Sequence, residues 1–508
     1  MYKIPIFSET VKIKKIIFIE PSINDPAWIN RKMVPSLGPV ILATILQQHG
    51  YTAYCYSETQ TKLNWKDILT ADIIGININT HNSTRGYELA DYIRSQKMIP
   101  VIFGGIHASL AYEEAINHCD YLIRGEAEEA LLLLIKALES ETIPEFEGIV
   151  FRENSQIIKI GGLARSDNIN TVPDRNLLKG FKWQARIYPF IWATVYASRG
   201  CPYNCNFCCI IKMYGKKQRT RSVESVITEI KNSLQFHRIP FLGTIPDLIW
   251  ICDDNFAEDR IWAISILKEI IRQKIKVKLV LQARINIASD REMLRLMHKA
   301  GVFRLYIGIE TLDDTALKFY QKESSLDKIK KSIKIIQKHR ISVHGLFVFG
   351  DDFCKTGLHK KVIDFTLEQN LSGVLLQSLY LIPGTELFQR MDKQNRLITK
   401  DWSKYRGLVI NYPKKIRPSQ LQEEIILISK SIYSFKQLIK RLFSRFRFYD
   451  KLLYLGEFIY QFEERKQMRN HIHFLKEKEK SLYYLNDEFI ENPEPDKEWI
   501  LSENNSGH

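Results

Sequence analysis

Residues 198–210, SRGCPYNCNFCCI, place three cysteines at 201, 205 and 208, a C-x3-C-x2-C spacing. Three thiols on one short loop can converge on a single metal centre. A structural zinc site usually has four ligands, often as two separated pairs. No second C-x2-C follows in the chain. Three cysteines suit a centre that keeps one position open. Iron–sulfur clusters are held by thiolates, and a four-iron cluster on three cysteines leaves one iron free to bind something else. Zinc and an incidental cysteine-rich turn are the alternatives. Cys209 follows Cys208 directly, points differently and is read as a bystander.

Other chemistry-bearing residues fall at the ends of strand-like runs. WICDDNFAED (250–259) carries Asp253, Asp254 and Asn255; LQARIN (281–286) carries Gln282 and Arg284; YIGIET (306–311) carries Glu310. An ion-paired barrel mouth is the structural alternative for these groups. Cys354, past another strand-like run, is read as a packed thiol.

The elements that must position these residues alternate. Strand-like runs at 14–21, 51–57, 71–80, 99–105 and 120–125 are separated by helical runs at 37–50, 85–97 and 128–140. This predicts an α/β unit, a doubly wound parallel sheet, with ligands at the carboxyl ends of its strands. The turns there are NTHNST (79–84), GGIH (104–107) and RGEAE (124–128). Residues 147–162 read as a small hairpin within a connector, 143–190. From 191 the alternation restarts, with strands at 191–197, 247–252, 276–282, 303–309, 342–349 and 373–380. Helices are predicted between them at about 222–236, 258–273, 290–300, 325–339 and 358–369. Six strand–helix units fit a barrel, a part-barrel or an open sheet, and in each the strand ends carry the chemistry.

Bulk properties agree with a multi-domain globular protein. The chain has 508 residues, 45% hydrophobic and 26% charged, with net charge +15. The charge suits anionic partners or a merely lysine-rich surface. No targeting signal and no run long enough for a membrane span is read, so a cytoplasmic location is expected. There, clustered cysteines serve metals or redox chemistry rather than disulfides.

The spacing in GCPYNCNFC, after ASRG at the end of the first strand of repeated βα units, resembles the radical S-adenosylmethionine (SAM) superfamily. The resemblance implies a [4Fe–4S] cluster on Cys201, Cys205 and Cys208, with SAM on the open iron. It implies SAM contacts from Tyr203, Phe207, Asp253, Asp254, Asn255, Gln282, Arg284 and Glu310. The commoner motif of two glycines and a glutamate at the second strand end is missing, and Asp253 and Asp254 stand in its place. PSLGPVILATILQQHG, DIIGININTHNSTRGYELADYIR, PVIFGGIHASL and DYLIRGEAEEALLLLI together resemble the cobalamin-binding domain that precedes many radical SAM cores. Gly38, Thr80, Asn82, Gly104, Gly105, Gly125 and Glu126 are the implied cobalamin contacts. The D-x-H-x-x-G motif of cobalt-ligating domains is absent, so His81 and His107 read as loop residues. RLITKDWSKYRGLVINYPKKIRPSQLQEEI (396–425) resembles a C-terminal extension found on some members that methylate polycyclic lipids. The likeness runs over about residues 14–445.

The implied organisation is a cobalamin-binding domain (1–142), a connector (143–190), a partial (β/α)6 radical SAM core (191–395) and a helical extension (396–508). The implied activity is a cobalamin-dependent radical SAM methyltransferase acting on an unactivated carbon of a small-molecule or lipid substrate. It would draw electrons from a donor such as flavodoxin or ferredoxin, and nucleic acid is not expected as a partner. The rival is a cyclase or rearrangement enzyme with the same cofactors. A methylthiotransferase would need further amino-terminal cysteines, and only Cys55 and Cys119 precede Cys201. A cobalamin sensor would not need the triad. Residues 430–451 carry seven basic residues against one acidic. They are read as a helix packing Tyr433, Phe435, Leu438, Leu442 and Phe446 on the barrel. The other reading is a surface helix on anionic lipid. The polar end, ENPEPDKEWILSENNSGH, is expected to fray.

Overall fold

The computed structural model describes residues 12–23, 36–181, 193–236, 248–322, 324–444 and 446–480, with two short strands at Tyr484–Leu485 and Glu488–Phe489. The expected fraying of the carboxyl terminus lies outside the described residues.

The first sheet has seven strands: β1 (Lys15–Glu20), β2 (Thr52–Ser57), β3 (Ile73–Asn77), β4 (Val101–Gly104), β5 (Tyr121–Ile123), β6 (Ile149–Glu153) and β7 (Gln156–Lys159). Their order is β2-β1-β3-β4-β5-β6-β7. The first five are parallel, and β6 and β7 add an antiparallel edge. Ile16 to Ile19 of β1 are all buried, the continuous apolar run of a sheet covered on both faces. Helices Leu37–Gln48, Ser83–Gln96 and Ala130–Glu139 supply the cover. The order reverses between β1 and β3, which opens a crevice at their carboxyl ends.

One boundary is corrected. The hairpin placed in a connector joins the sheet, because β6 pairs with β5 through Tyr121–Phe151 and Ile123–Ile149. The unit therefore runs past residue 142. Ile149, Val150 and Phe151 are buried against it.

The second sheet is parallel throughout. It holds β8 (Ala193–Val195), β11 (Leu248–Ile251), β12 (Lys278–Ala283), β13 (Val302–Glu310), β14 (Ser342–Phe349) and β15 (Gly373–Ser378), in the order β15-β14-β13-β12-β11-β8. Between β8 and β11 a two-stranded ribbon intervenes, β9 (Ser198–Arg199) with β10 (Arg219–Thr220). Among the described strands β15 does not pair with β8, so the sheet is a partial (β/α)6 barrel.

The carboxyl-terminal region is helical. Helix Pro418–Ile432 packs on the 32-residue helix Phe448–Glu479. The long helix is tied to the barrel by Arg304 of β13, fully buried, which donates to Asp450 (3.0 Å) and Glu457 (2.5 Å). The single helix read over 430–451 is corrected to three pieces. Ser434 caps a new helix, Phe435–Leu442, by accepting from the Gln437 N–H (3.3 Å). A serine side chain that satisfies the next turn favours a fresh start over continuation. The packing read for this stretch is also corrected in part. Tyr433 and Leu438 are buried and Phe446 is half-buried, but Phe435 and Leu442 are exposed.

Candidate active site

The cysteine loop leaves the short ribbon through Gly200. Its φ is +94°, and a Cβ there would lie 2.5 Å from the Lys217 carbonyl oxygen, so only glycine makes this turn without strain. Asp253, at the end of β11, holds the chain just before it. Its carboxylate accepts from the Ala197 N–H (2.7 Å) and the Ser198 hydroxyl (2.6 Å). Asp253 is thus turned into the backbone, and burial raises its pKa to about 6 despite these donors.

Cys201, Cys205 and Cys208 are half-buried and free; Cys209 is buried. Burial pushes the Cys201 and Cys208 thiols up, and Cys205 acts electrostatically on both. Among the described residues no three His, Cys, Asp or Glu side chains are grouped tightly enough to hold one metal ion. The donor set fits an iron–sulfur cluster: three soft ligands on one loop, away from any disulfide.

Around the loop the predicted residues divide. Arg284 lies over the Tyr203 ring, 3.5 Å from its centroid. Asn255 donates to Glu258 (2.6 Å), and its Oδ1 accepts from the Arg284 N–H (3.4 Å). Tyr203, Asn255 and Arg284 are therefore brought together, with Glu258 as a fourth member that the sequence did not flag. Gln282 stands two residues earlier on β12, half-buried, and its carbonyl accepts from the Phe256 N–H (3.1 Å). Glu310 ends β13 at a register shift, with φ +62°. A non-glycine residue in that region is strained and is held by its surroundings. Its carboxylate pairs with Lys322 (2.8 Å). Phe207 turns away, edge-on to buried Tyr320 (centroids 5.3 Å apart), and anchors the loop. Cys354 is half-buried and accepts from the Gly350 N–H (3.3 Å).

A cavity of about 430 Å³ lies between the carboxyl ends of the two sheets. It begins among the loops after β3, β4 and β5 and runs between the sheet (Ile16, Gly75, Ile102) and helix Leu37–Gln48. From the second domain it is walled by Tyr196, Arg199, Tyr214, Cys252 and Asp254. Gly38, Gly104, Gly105, Gly125 and Glu126 line it; Thr80 and Asn82 do not. A Cβ on Gly38 or Gly104 would meet nothing within 4 Å, so both leave open room. Gly105 is different, with φ +102° and the Ile78 carbonyl oxygen 2.5 Å from any Cβ. Asn82 instead ties loops together, donating to the Pro21 carbonyl (3.0 Å) and accepting from the Asn79 N–H (2.7 Å). Thr80 Oγ1 sits 3.4 Å from His107 Nδ1. Asn77, Asn79, Tyr196, Arg199 and Tyr214 are lining residues that sequence reasoning missed. Three of them carried a signal: Asn79 opens the NTHNST turn, Asn77 stands two residues before it, and Arg199 lies in the SRG run before Cys201.

Neither histidine lines the cavity, and neither is a loop residue as read from sequence: His81 lies in a short 3-10 turn, Thr80–Asn82, and His107 is buried in helix Ile106–Leu110. His81 Nδ1 meets the Tyr380 hydroxyl across the domain boundary (3.0 Å), and burial holds its pKa down to about 4. His107 Nε2 meets Tyr87 (3.0 Å), and burial holds it down to about 3.

The two domains are latched beside the cavity. Glu126 pairs with Arg199 (2.9 Å) and Arg219 (2.6 Å), and Glu128 pairs with Arg199 (2.5 Å). Arg199 is the second residue before Cys201. Burial works against the Glu126 charge, but Arg219 and Arg199 outweigh it and hold the carboxyl below its usual range. On the cavity wall, Asp254 has no such partner among the described residues. Burial and the adjacent Asp253 raise it to about 7.

A phosphate- or tail-sized organic group fits a crevice of this kind, at a sheet's switch point and opened by side-chain-free glycines. The architecture is thus that of a two-domain α/β enzyme with one shared chamber. Residues 195–352 match the model of the radical SAM superfamily, and residues 32–135 match that of the B12 binding domain. The chain belongs to the cobalamin-dependent radical SAM enzymes. It is 24% identical, over 84% of its own length and 89% of the relative's, to bacteriochlorophyllide d C-12(1)-methyltransferase of Chlorobaculum tepidum. It is also 24% identical to anaerobic magnesium-protoporphyrin IX monomethyl ester cyclase of Cereibacter sphaeroides, over 84% of this chain and 71% of that one. Its fold resembles the cobalamin-dependent SAM radical enzyme OxsB, solved with aqua-cobalamin and SAM bound (TM-score 0.66, 17% identity, 96% of this chain and 75% of that chain).

Proposed function

We propose that this enzyme transfers a methyl group to an unactivated carbon of a small organic substrate. The observation that carries the reading is the shared chamber: one cavity is lined by the glycine-rich strand ends of the B12 domain and by Arg199, Cys252 and Asp254 beside the cysteine loop. When bound, the cluster, SAM and cobalamin supply a carbon-centred radical and a methyl donor, chemistry that no side chain can perform.

The chain's own residues position and seal. Cys201, Cys205 and Cys208 are assigned as the cluster ligands. Tyr203, Asn255, Gln282, Arg284 and Glu310 are assigned to the SAM side, at adjacent strand ends. Gly38, Gly104, Gly105, Gly125 and Glu126 are assigned to cobalamin. Asp253 and Phe207 act one step back, fixing the loop's entry and its base. Asp254, raised to about 7, is protonated for a substantial part of the time near neutrality and can donate as well as accept into the chamber. In this reading the B12 unit runs through the hairpin to Lys159, and the radical SAM core runs from β8 to β15. A one-electron donor protein, flavodoxin or ferredoxin in chemistry, completes the system.

The cyclase among the relatives favours a second reading, ring formation with the same cofactors. The test is the fate of SAM in the anaerobically reconstituted enzyme. Formation of both 5′-deoxyadenosine and S-adenosylhomocysteine, the latter only with cobalamin present, is expected for methyl transfer. Deoxyadenosine without S-adenosylhomocysteine would overturn it in favour of cyclisation.

A further inference from the structure

The surface of the carboxyl-terminal region carries a feature that the chamber does not use. Helix Phe435–Leu442 and the residue after it expose Phe435 (68%), Ile439 (42%), Leu442 (43%) and Phe443 (87%). These positions are i, i+4, i+7 and i+8, one face of a helix. Phe448, at the start of the next helix, is exposed as well. Single exposed apolar residues need no explanation, and others on this surface, such as Met98 and Ile261, are of that kind. Several large apolar side chains on one helical face, two of them protruding phenylalanines, are different.

The charge along the segment is one-sided in sequence. Residues 430–449 contain no aspartate or glutamate. Lys430, Lys436 and Lys440 are exposed. The nearest acid in sequence, Asp450, is buried and spent on Arg304. The helix is also firmly seated. Arg441 donates to the carbonyls of Ser372 (2.8 Å) and Leu371 (2.5 Å), and Leu438 is buried. Leu371 and Ser372 precede β15, so the face lies at the amino ends of the barrel strands, opposite the cysteine loop.

We propose that this face docks the enzyme on an anionic lipid bilayer, with the phenylalanine rings in the interfacial layer and the lysines among the headgroups. Three observations select a bilayer over a protein partner. The helix is about 12 Å long, and the exposed surface of its apolar residues together with Phe448 is on the order of 500 Å², short of the roughly 800 Å² per partner of a stable protein interface. Its apolar residues are aromatic and aliphatic at the centre with lysines beside them, the pattern of an interfacial helix. The cations have no acidic neighbours within the segment, so they complement an anionic surface. No helix among the described residues is long and apolar enough to cross a membrane, so the contact is peripheral. The inference does not depend on whether the reaction is methylation or cyclisation.

The test is co-sedimentation of the full-length holoenzyme with vesicles of phosphatidylcholine alone or mixed with phosphatidylglycerol. Sedimentation is expected only with phosphatidylglycerol, and it should fall as salt rises. The double variant Phe435→Ser/Phe443→Ser and the double variant Lys436→Gln/Lys440→Gln should each lower the partition coefficient about tenfold or more. Ile261→Ser, at an isolated exposed site, should leave it unchanged. Iron content and circular dichroism check that each variant is folded. Absence of binding by the unaltered protein, or binding that both double variants retain, would overturn the proposal. So would a wild-type dimer in gel filtration that the phenylalanine variant converts to monomer, which would assign the face to a second copy of the chain.

Discussion

The two walls of the shared chamber are specified in opposite ways. The wall from the first domain is opened largely by missing atoms: Gly38 and Gly104 face open space, although Asn77, Asn79 and Glu126 also line it. The wall from the second domain is defined by placed atoms: Arg199, Cys252, Asp254 and, next to them, the cysteine loop. A wall made of absence fails when atoms are added, and a wall made of groups fails when atoms are removed. The same asymmetry says what each wall is for. A large preformed cofactor needs room, whereas a cluster and a small substrate need ligands and charges at fixed places.

The largest effect is expected on the second wall. Cys205→Ala removes the middle thiol, the one that acts electrostatically on both others. Loss of nearly all iron and of the brown absorbance is expected, with SAM cleavage abolished. Unchanged iron per chain would show that Cys205 is not a ligand.

Gly104→Leu is the matching test on the first wall. Its backbone does not need glycine, since its φ is not positive and a Cβ meets nothing. The added side chain enters the cavity, so cobalamin retention should drop by about tenfold or more while iron content stays at the wild-type level. Gly105→Leu is expected to lose the fold around it as well, because its Cβ would collide with the Ile78 carbonyl. Equal cobalamin retention by the Gly104 variant and wild type would mean that the cofactor's tail does not use this space.

The latch joins the two walls and gives a smaller effect. Arg199→Ala strips one partner from buried Glu126 and the arginine from Glu128, but Arg219 and the Ser166 N–H still hold Glu126. A destabilisation of about 2–3 kcal/mol is expected in urea unfolding. The pH dependence follows from the direction of the Glu126 shift. Its folded-state pKa lies below the usual 4.5, so its contribution is complete above that value and is lost as pH falls through the lowered pKa. Wild type should therefore lose more stability than Arg199→Ala below about pH 4.5. Parallel curves for the two proteins would remove Glu126 as the source.

Much of this arrangement is legible in the sequence, for a local reason. Strand–helix alternation is written in hydrophobic periodicity, and the cysteine spacing lies within eight residues. What is not legible depends on partners far away in the chain. Nothing in DDNF says that Asp253 turns back to Ala197 and Ser198 while Asp254 faces the chamber; neighbouring strand-end residues point to opposite sides, and the register decides which. Glu126 meets Arg199 and Arg219 across more than seventy residues. The edge hairpin was visible as a hairpin, but its pairing with β5 was not. The aromatic spacing of 430–451 carried a helical signal, yet Ser434 restarted the helix and turned Phe435 outward. A periodic pattern reports that one face is apolar, not what that face meets.

The smallest predicted effect separates lining from support on the first wall. Thr80 and Asn82 belong to the same loop as Asn79, but only Asn79 reaches the cavity. Thr80 is buried, and its hydroxyl has a long, 3.4 Å contact with His107. Thr80→Val keeps the shape and removes that contact, so a cost of about 1 kcal/mol or less is expected. His107 retains its bond to Tyr87, which limits the loss further. Cobalamin retention should stay within about twofold of wild type, since a change under 0.5 kcal/mol at the cofactor corresponds to about that factor. A loss as large as that of Gly104→Leu would mean that the loop after β3 rearranges on binding and brings Thr80 to the cofactor. In that case the first wall, too, would be built from placed groups.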